Sequence, residues 1–327
     1  MKIVVCGGSA AISEWMPPLV RDPFRARSSI EADRLGHHSP MRSPAVGIHP
    51  SAIVSPMAKI SDDVEIGPFC VVEPGATIDG GCKLEARVVI KQGASLGRNN
   101  YVADGAVIGG LAQHLSVPDN PGTLVIGSGN TIRENVTIHR AMEAEEATVI
   151  GDGNLLMVKS HVAHDCRVGN NNVIANNVML AGPVTVGDRV YLAGAAGVHQ
   201  FCRIGTLAMV GGQSHLSKDV PPFVNVDGLS SYIVGLNQIG LRRAGYSPED
   251  VRRLKEAYRL IYRSTLKWNE ILTRLREDFS EGPAAQFYQF LSTTTRGITP
   301  ERRLPPGATI KIDSAATRTA APQARAG

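Results

Sequence analysis

The sequence predicts an all-β parallel β-helix, a solenoid of short flat faces, followed by a C-terminal α-helical domain. Three observations carry this reading. From Ile48 to Leu216 an aliphatic residue returns at every sixth position outside two gaps; glycine often follows it, as in Ile66-Gly67 and Ile150-Gly151; and Asn, Asp and Gly crowd the stretches between, as in "SDD", "GRNN" and "GNNN". A period of six matches neither the helical repeat of about 3.6 nor the alternation of an ordinary strand. It fits a coil with three faces, one aliphatic side chain entering the core per face, and corners whose positive φ suits Gly, Asn and Asp.

Residues 1–46 precede the pattern. The opening "MKIVVCGGSAA" suggests a strand and a Gly-rich turn, as in a dinucleotide-binding fold, but "EWMPPLVRDPFRARSS" supplies no βαβ unit behind it. The segment is therefore expected to be an atypical, poorly ordered extension, with Met41 an alternative start. The solenoid is placed at 47–220. Its aliphatic series runs to Ile108, pauses over "LAQHLSVPDNPG", resumes at Ile126, Ile132 and Ile138, breaks over "HRAMEAEEA", and continues from Ile150 to Leu216. Loop excursions are thus expected near 109–125 and 139–149. Two residues before each aliphatic position the chain is often small (Ala52, Ala76, Ala94, Ser160, Ala208), and Cys70, Cys82, Cys166 and Cys202 share that slot. They read as small core residues.

After "DVPPFV" the period stops. Residues 221–300 carry helical signals: Ser247 as N-cap, Pro248 in the first turn, Glu249 and Asp250 at the positive end of the dipole, and an apolar stripe of Val251, Leu254, Tyr258 and Ile261. Between Leu241 and Arg276 ten Lys or Arg face four Asp or Glu, which is either a solvated face or a surface for an acidic partner. The composition of 301–327 predicts a disordered tail. A net charge of +4 does not call for nucleic acid. No apolar run reaches the ~20 residues of a membrane span, so no stable membrane insertion is expected. Five cysteines without a secretory signal point to a reducing, cytoplasmic setting.

The segment "HVAHDC", His161 to Cys166, concentrates reactive side chains. Steps of eighteen residues keep face and slot, so His164, Gly182, Gln200 and Lys218 form one column and Asp165, Pro183, Phe201 and Asp219 the next, at roughly 4.8 Å per coil; His199 lies beside Gln200. Such a column suits acyl transfer to a hydroxyl. His164 is the candidate general base, Asp165 orients the imidazole, and the Gly182 amide can donate to an oxyanion. No Ser or Cys is placed as a nucleophile, so direct attack is the simpler scheme. His161 alone reads as a solvated structural histidine. A metal is the lesser reading: His161 and His164 point differently, unlike a helical i, i+4 pair, and Cys166 is assigned to the core. The trimeric γ-type carbonic anhydrases, a related solenoid class, do gather histidines from two subunits around a metal. No cofactor is expected.

The segments "NLLMVKSHVAHDCRVGNNNVIANN", "GVHQFCRIG", "MVGGQS", "KDVPPFV" and "GLRRAGYS", with "NTIRENVTIHR" and "STTTRG", closely resemble the UDP-N-acetylglucosamine O-acyltransferase family over roughly Ile48 to Gly297. The family acts first in lipid A biosynthesis. The resemblance implies a left-handed β-helix and a homotrimer with active sites between subunits. It implies transfer of a 3-hydroxyacyl chain from acyl carrier protein to the glucosamine 3-hydroxyl of the UDP-sugar substrate. It makes His164 the general base with Asp165 as its partner, Gly182 the oxyanion amide, and His199 and Gln200 site-lining residues. His161 would help place donor or sugar, Asn237 and Arg243 would contact donor or nucleotide, and Gly212 would lie near the acyl-chain ruler. The basic helical face becomes a docking surface for acyl carrier protein.

Three places depart from the family pattern. "QHLSV" stands for "QDLKY", giving His114 and Ser116; Pro183 stands where a histidine is usual; and Gly228 to Ser231 read "GLSS" for "GNHA". They leave open a different acceptor, such as a 3-amino sugar nucleotide, or a paralogue that binds carrier or sugar nucleotide without turnover. The intact His164, Asp165, Gly182 and Gln200 argue against the latter.

Overall fold

The computed structural model describes residues 47–302; the extension expected over 1–46 and the tail beyond 302 lie outside the described residues. Short strands, most of two residues, stack into three sheets. The first sheet runs from Ile53–Val54 to His215–Leu216, the second from Lys59–Ile60 to Arg203–Ile204, and the third from Glu65–Ile66 to Met209–Val210. All three are parallel ladders until Val224–Val226 pairs with the antiparallel strand Ile233–Leu236. The register advances by eighteen residues per coil, with Ile53 opposite Val71. It advances by thirty from Val107 to Thr137 and by twenty-four from Thr137 to His161. Both insertions leave along the same edge, between the first sheet and the second: one between Val107–Gly110 and Thr123–Ile126, the other between Thr137–His139 and Ala147–Ile150.

The repeated aliphatic residues form the interior, and Ile90, Ile108, Ile138, Leu156 and Ile174 are fully buried. Each such side chain contributes about 1.5–3 kcal/mol by leaving water. The cysteines sit in the core as small residues: the Cys70, Cys82 and Cys166 thiols donate to the carbonyls of Glu85, Gly97 and Ala181 at 2.8, 3.0 and 3.4 Å. Burial pushes the Cys166 thiol up to about 12, so it supplies no thiolate at neutral pH.

The period did not reveal how the same small slot is used beneath the third sheet. There Asn100, Asn130, Asn154 and Asn172 are buried in a ladder. Each Oδ1 accepts the backbone N–H of the residue one coil on, at 2.9, 2.8, 2.9 and 2.7 Å in turn. The corners differ from expectation too. Besides Asn and Asp, the left-handed region holds Phe69, Arg87, Lys159, Phe201 and Leu207. Their N–H groups are tied to the preceding coil, Phe69 to the Ser51 hydroxyl at 3.1 Å and the others to carbonyls, as Arg87 to Pro68 and Leu207 to Asp188, both at 2.9 Å. The ladder thus imposes a conformation that these side chains alone disfavour.

Four helices follow: α1 (Gln238–Arg243), α2 (Pro248–Arg263), α3 (Trp268–Asp278) and α4 (Ala285–Leu291). Ser247 caps α2 in a reciprocal box with Asp250, and Leu254, Tyr258 and Ile261 are buried. Asp219, which the spacing places in the outer column with Asp165, is instead buried. It is clamped by Arg203 at 2.8 Å and by the Thr294 hydroxyl at 2.8 Å, and Arg203 also reaches the Phe290 carbonyl at 2.9 Å. A buried carboxylate needs such partners; here they tie the helical segment to the last coils. Glu301 and Arg302, assigned by composition to a disordered tail, are held in the fold. The Tyr258 hydroxyl donates to Glu301 Oε1 at 2.7 Å, and the Arg302 N–H donates to the Ile233 carbonyl at 2.8 Å. Among the described residues no helix is long and apolar enough to cross a membrane.

Candidate active site

The edge from which both excursions leave is also the edge that carries His164. The chain turns there from the strand His161–Val162 toward Arg167–Val168. Asp165 occupies the left-handed corner position, with φ of 60°. Its N–H donates to the Thr148 hydroxyl at 2.8 Å, and Thr148 is fully buried. The carboxylate folds back onto its neighbour: Oδ2 lies 2.6 Å from His164 Nδ1, while Oδ1 accepts the Met142 N–H from the second excursion at 3.2 Å. A carboxylate on Nδ1 places the imidazole proton there and leaves the Nε2 lone pair as the basic atom. The His164 side chain is 14% exposed, enough for a substrate atom to reach one nitrogen but not for bulk water to surround the ring.

Gly182 lies one coil on, directly against that ring. A Cβ at Gly182 would fall 2.2 Å from the His164 carbonyl oxygen and 3.0 Å from two ring carbons, so only glycine fits. The Gly182 N–H has no acceptor among the described residues and is free to meet a developing oxyanion.

Two further histidines stand beside them, His161 on the same coil and His139 on the one before. His161 Nδ1 is 2.7 Å from the Thr137 hydroxyl, and its ring meets that of His139 edge-on, centroids 4.8 Å apart. His139 is buried, with Nδ1 lacking a hydrogen-bond partner. Burial first, then the charges of His161 and His164, lower His139 to about 4; burial and His164 also lower His161. Both rings are therefore neutral at neutral pH. From the first excursion comes His114, whose ring lies 6.1 Å from that of His164 at 78°, with Nδ1 accepting the Ser116 N–H at 3.1 Å.

The structure thus brings His164, Asp165 and Gly182 into contact, with His161 alongside. It does not bring the other candidates to them within one chain. His199 and Gln200 are exposed on the same edge but farther along, beyond Gly182, and His199 Nδ1 lies 3.2 Å from the Gln200 carbonyl. Gly212 sits on a different edge, between the third sheet and the first, packed over the Gly194 carbonyl. The Asn237 side chain is engaged in the fold: Oδ1 caps α1 through the Gly240 N–H and Nδ2 donates to the Leu207 carbonyl, both at 2.9 Å. Arg243 is exposed in the last turn of α1.

Sequence reasoning missed Thr148, Thr137, His139 and the Met142 amide. A hydroxyl at Thr148, in the slot otherwise filled by Cys166 one coil on, was the available signal for the first. Cys166 points into the core, and no group of three or more His, Cys, Asp or Glu among the described residues could hold a metal ion.

Comparison with known proteins bears on 77% of the chain. A model of the second domain of UDP-N-acetylglucosamine O-acyltransferase matches residues 219–299, and a bacterial transferase hexapeptide model of six repeats matches 147–182. The acyl-[acyl-carrier-protein]–UDP-N-acetylglucosamine O-acyltransferase of Burkholderia orbicola is 49% identical over 257 residues, covering 77% of this chain and 98% of that protein. Among solved structures, LpxA of Acinetobacter baumannii superposes with a TM-score of 0.74 at 40% identity, covering 77% of this chain and 99% of its own. The UDP-N-acetylglucosamine O-acyltransferase of Moraxella catarrhalis gives 0.75 at 40%, with the same coverage. The solenoid is the left-handed parallel β-helix, and its repeats, its helical end and nearly the full length of these relatives are matched together. On that likeness the chain belongs to the UDP-N-acetylglucosamine O-acyltransferase family.

Proposed function

We propose that the chain is an acyltransferase that moves a 3-hydroxyacyl group from acyl carrier protein to the glucosamine 3-hydroxyl of UDP-N-acetylglucosamine, the reaction that opens lipid A biosynthesis. The observation that carries this is the His164–Asp165 pair at 2.6 Å, set against the free N–H of Gly182. His164 Nε2 takes the hydroxyl proton as the sugar oxygen attacks the thioester carbon. The Gly182 N–H receives the negative oxygen of the tetrahedral intermediate. As that collapses the C–S bond breaks, and the imidazolium returns its proton to the departing thiolate. Asp165, itself positioned by Thr148 and Met142, fixes the tautomer and favours the imidazolium. No acyl-enzyme is needed.

The working unit is a homotrimer with sites between subunits. His164 and Gly212 lie on different edges of one prism, so a site that uses both is completed by a second copy. Acyl carrier protein docks on the helical segment. There Arg252 and Arg274 are neutralised by Glu249 and Asp278, whereas Arg242, Arg243, Lys255 and Arg259 are exposed and carry no ion pair among the described residues. The four cysteines among the described residues, free and buried, support a cytoplasmic setting.

The test is acyl transfer by purified protein with 3-hydroxyacyl carrier protein and UDP-N-acetylglucosamine, run beside the 3-amino analogue. Ester product from the native chain is expected, with kcat lowered about 10²–10⁴-fold in His164→Ala. Undiminished turnover in that variant overturns the mechanism; turnover with the amine alone moves the acceptor.

A further inference from the structure

We propose that His114 is a specificity-determining residue, the second imidazole of the site, and that with His164 it selects an oxygen over a nitrogen acceptor. The proposal rests on the acyl-transfer reading above and names what that reading leaves open, the chemistry of the attacking group.

The two rings meet edge-on in opposite protonation patterns. His164 gives Nδ1–H to Asp165 at 2.6 Å and turns a lone pair outward at Nε2. His114 receives the Ser116 N–H on Nδ1 at 3.1 Å, so its proton sits on Nε2 and points outward as a donor. One ring therefore offers an acceptor and the other a donor, with centroids 6.1 Å apart. Two hydrogen bonds of about 2.8–3.0 Å to a single atom bridge nitrogens up to about 6 Å apart, and rings whose centroids lie 6.1 Å apart can present their nitrogens within that span to one small polar group.

A hydroxyl satisfies both. Its proton goes to His164 Nε2, one lone pair accepts from His114 Nε2–H, and the second lone pair attacks the thioester carbon. A neutral amine has one lone pair: if it accepts from His114 it cannot attack, and if it attacks, the His114 donor is left facing N–H groups without a partner. A site whose donor is left unpaired by an analogue rejects that analogue strongly. His114 is exposed in the first excursion, away from the ladders, so substitutions there leave the solenoid folded.

The experiment measures kcat/KM for UDP-N-acetylglucosamine and for its 3-amino analogue with the native chain, His114→Ala and His114→Asn. The expected result is a native preference for the hydroxyl that falls at least about tenfold in His114→Ala. The loss falls on the hydroxyl substrate, with partial recovery in His114→Asn, whose amide keeps a donor. Equal losses on both substrates, or none on either, overturn the proposal. A native chain inert toward both acceptors overturns the acyl-transfer reading itself, and this proposal with it.

Discussion

Along the third sheet four buried asparagines stack, and each side chain accepts the backbone N–H of the coil above. Along the edge between the first and second sheets histidines gather instead, and their hydrogen bonding does not close. His139 Nδ1 has no partner, the outward nitrogen of His164 accepts nothing, and the Gly182 N–H is free among the described residues. Both regions use the same coil geometry. The difference teaches where the solenoid keeps stability and where it keeps chemistry: polar groups paired inside the stack hold it together, and polar groups left open at its edge are available to a substrate.

The largest expected break in this contrast is Gly182→Ala. The added methyl meets the His164 carbonyl at 2.2 Å, so the corner must shift and carry the amide out of line. Losing one oxyanion donor costs about 10²–10³-fold in kcat. Steady-state kinetics should show that loss while circular dichroism still reports the solenoid; a kcat within threefold of native would remove Gly182 from the mechanism. The asparagine column should answer in the opposite sense. Asn154→Ala leaves the Asn172 N–H buried without its acceptor, at a cost of about 1–3 kcal/mol. Urea unfolding should register it, with kcat per folded molecule unchanged.

The comparison sharpens further through pH. His139 titrates near 4 in the fold against 6.5 for an ordinary histidine. Between those values the unfolded chain binds the additional proton. The stabilising contribution of neutral His139 is therefore fully present above about pH 6.5 and is lost as pH falls toward 4. His139→Phe should flatten that part of the stability profile; an unchanged slope would show that His139 is not its source.

The fold was legible because one aliphatic residue per face is a strong, repeated constraint, and Ile90, Ile138 and Leu180 all lie where the period puts them. His164 and Gly182 were legible for the same reason: eighteen residues make one coil, so column arithmetic places them in contact. Asp219 defeated that arithmetic, because the chain leaves the ladder after Leu216 and Arg203 with Thr294 draws the carboxylate inward. Met142 could not be placed at all, and His114 only through the family resemblance, as a departure bearing on the acceptor. They belong to excursions whose path is set by local turns rather than by the period, and only the fold shows that both return over His164.

Those excursions leave and rejoin the stack on one edge, with the ladders continuing across them from Leu124 to Thr148. Their ends are held close together whatever lies between. Loop-closure entropy then grows only logarithmically, about 0.6 kcal/mol for each doubling of length. Residues 113–121, between the buried Ala112 and the tightly packed Gly122, can therefore be exchanged, lengthened or re-lettered at little thermodynamic cost while the coil beneath keeps its base and its amide. The architecture separates a part that must not change from a part free to diversify, and the identity of the accepted sugar can drift without the protein having to learn to fold again.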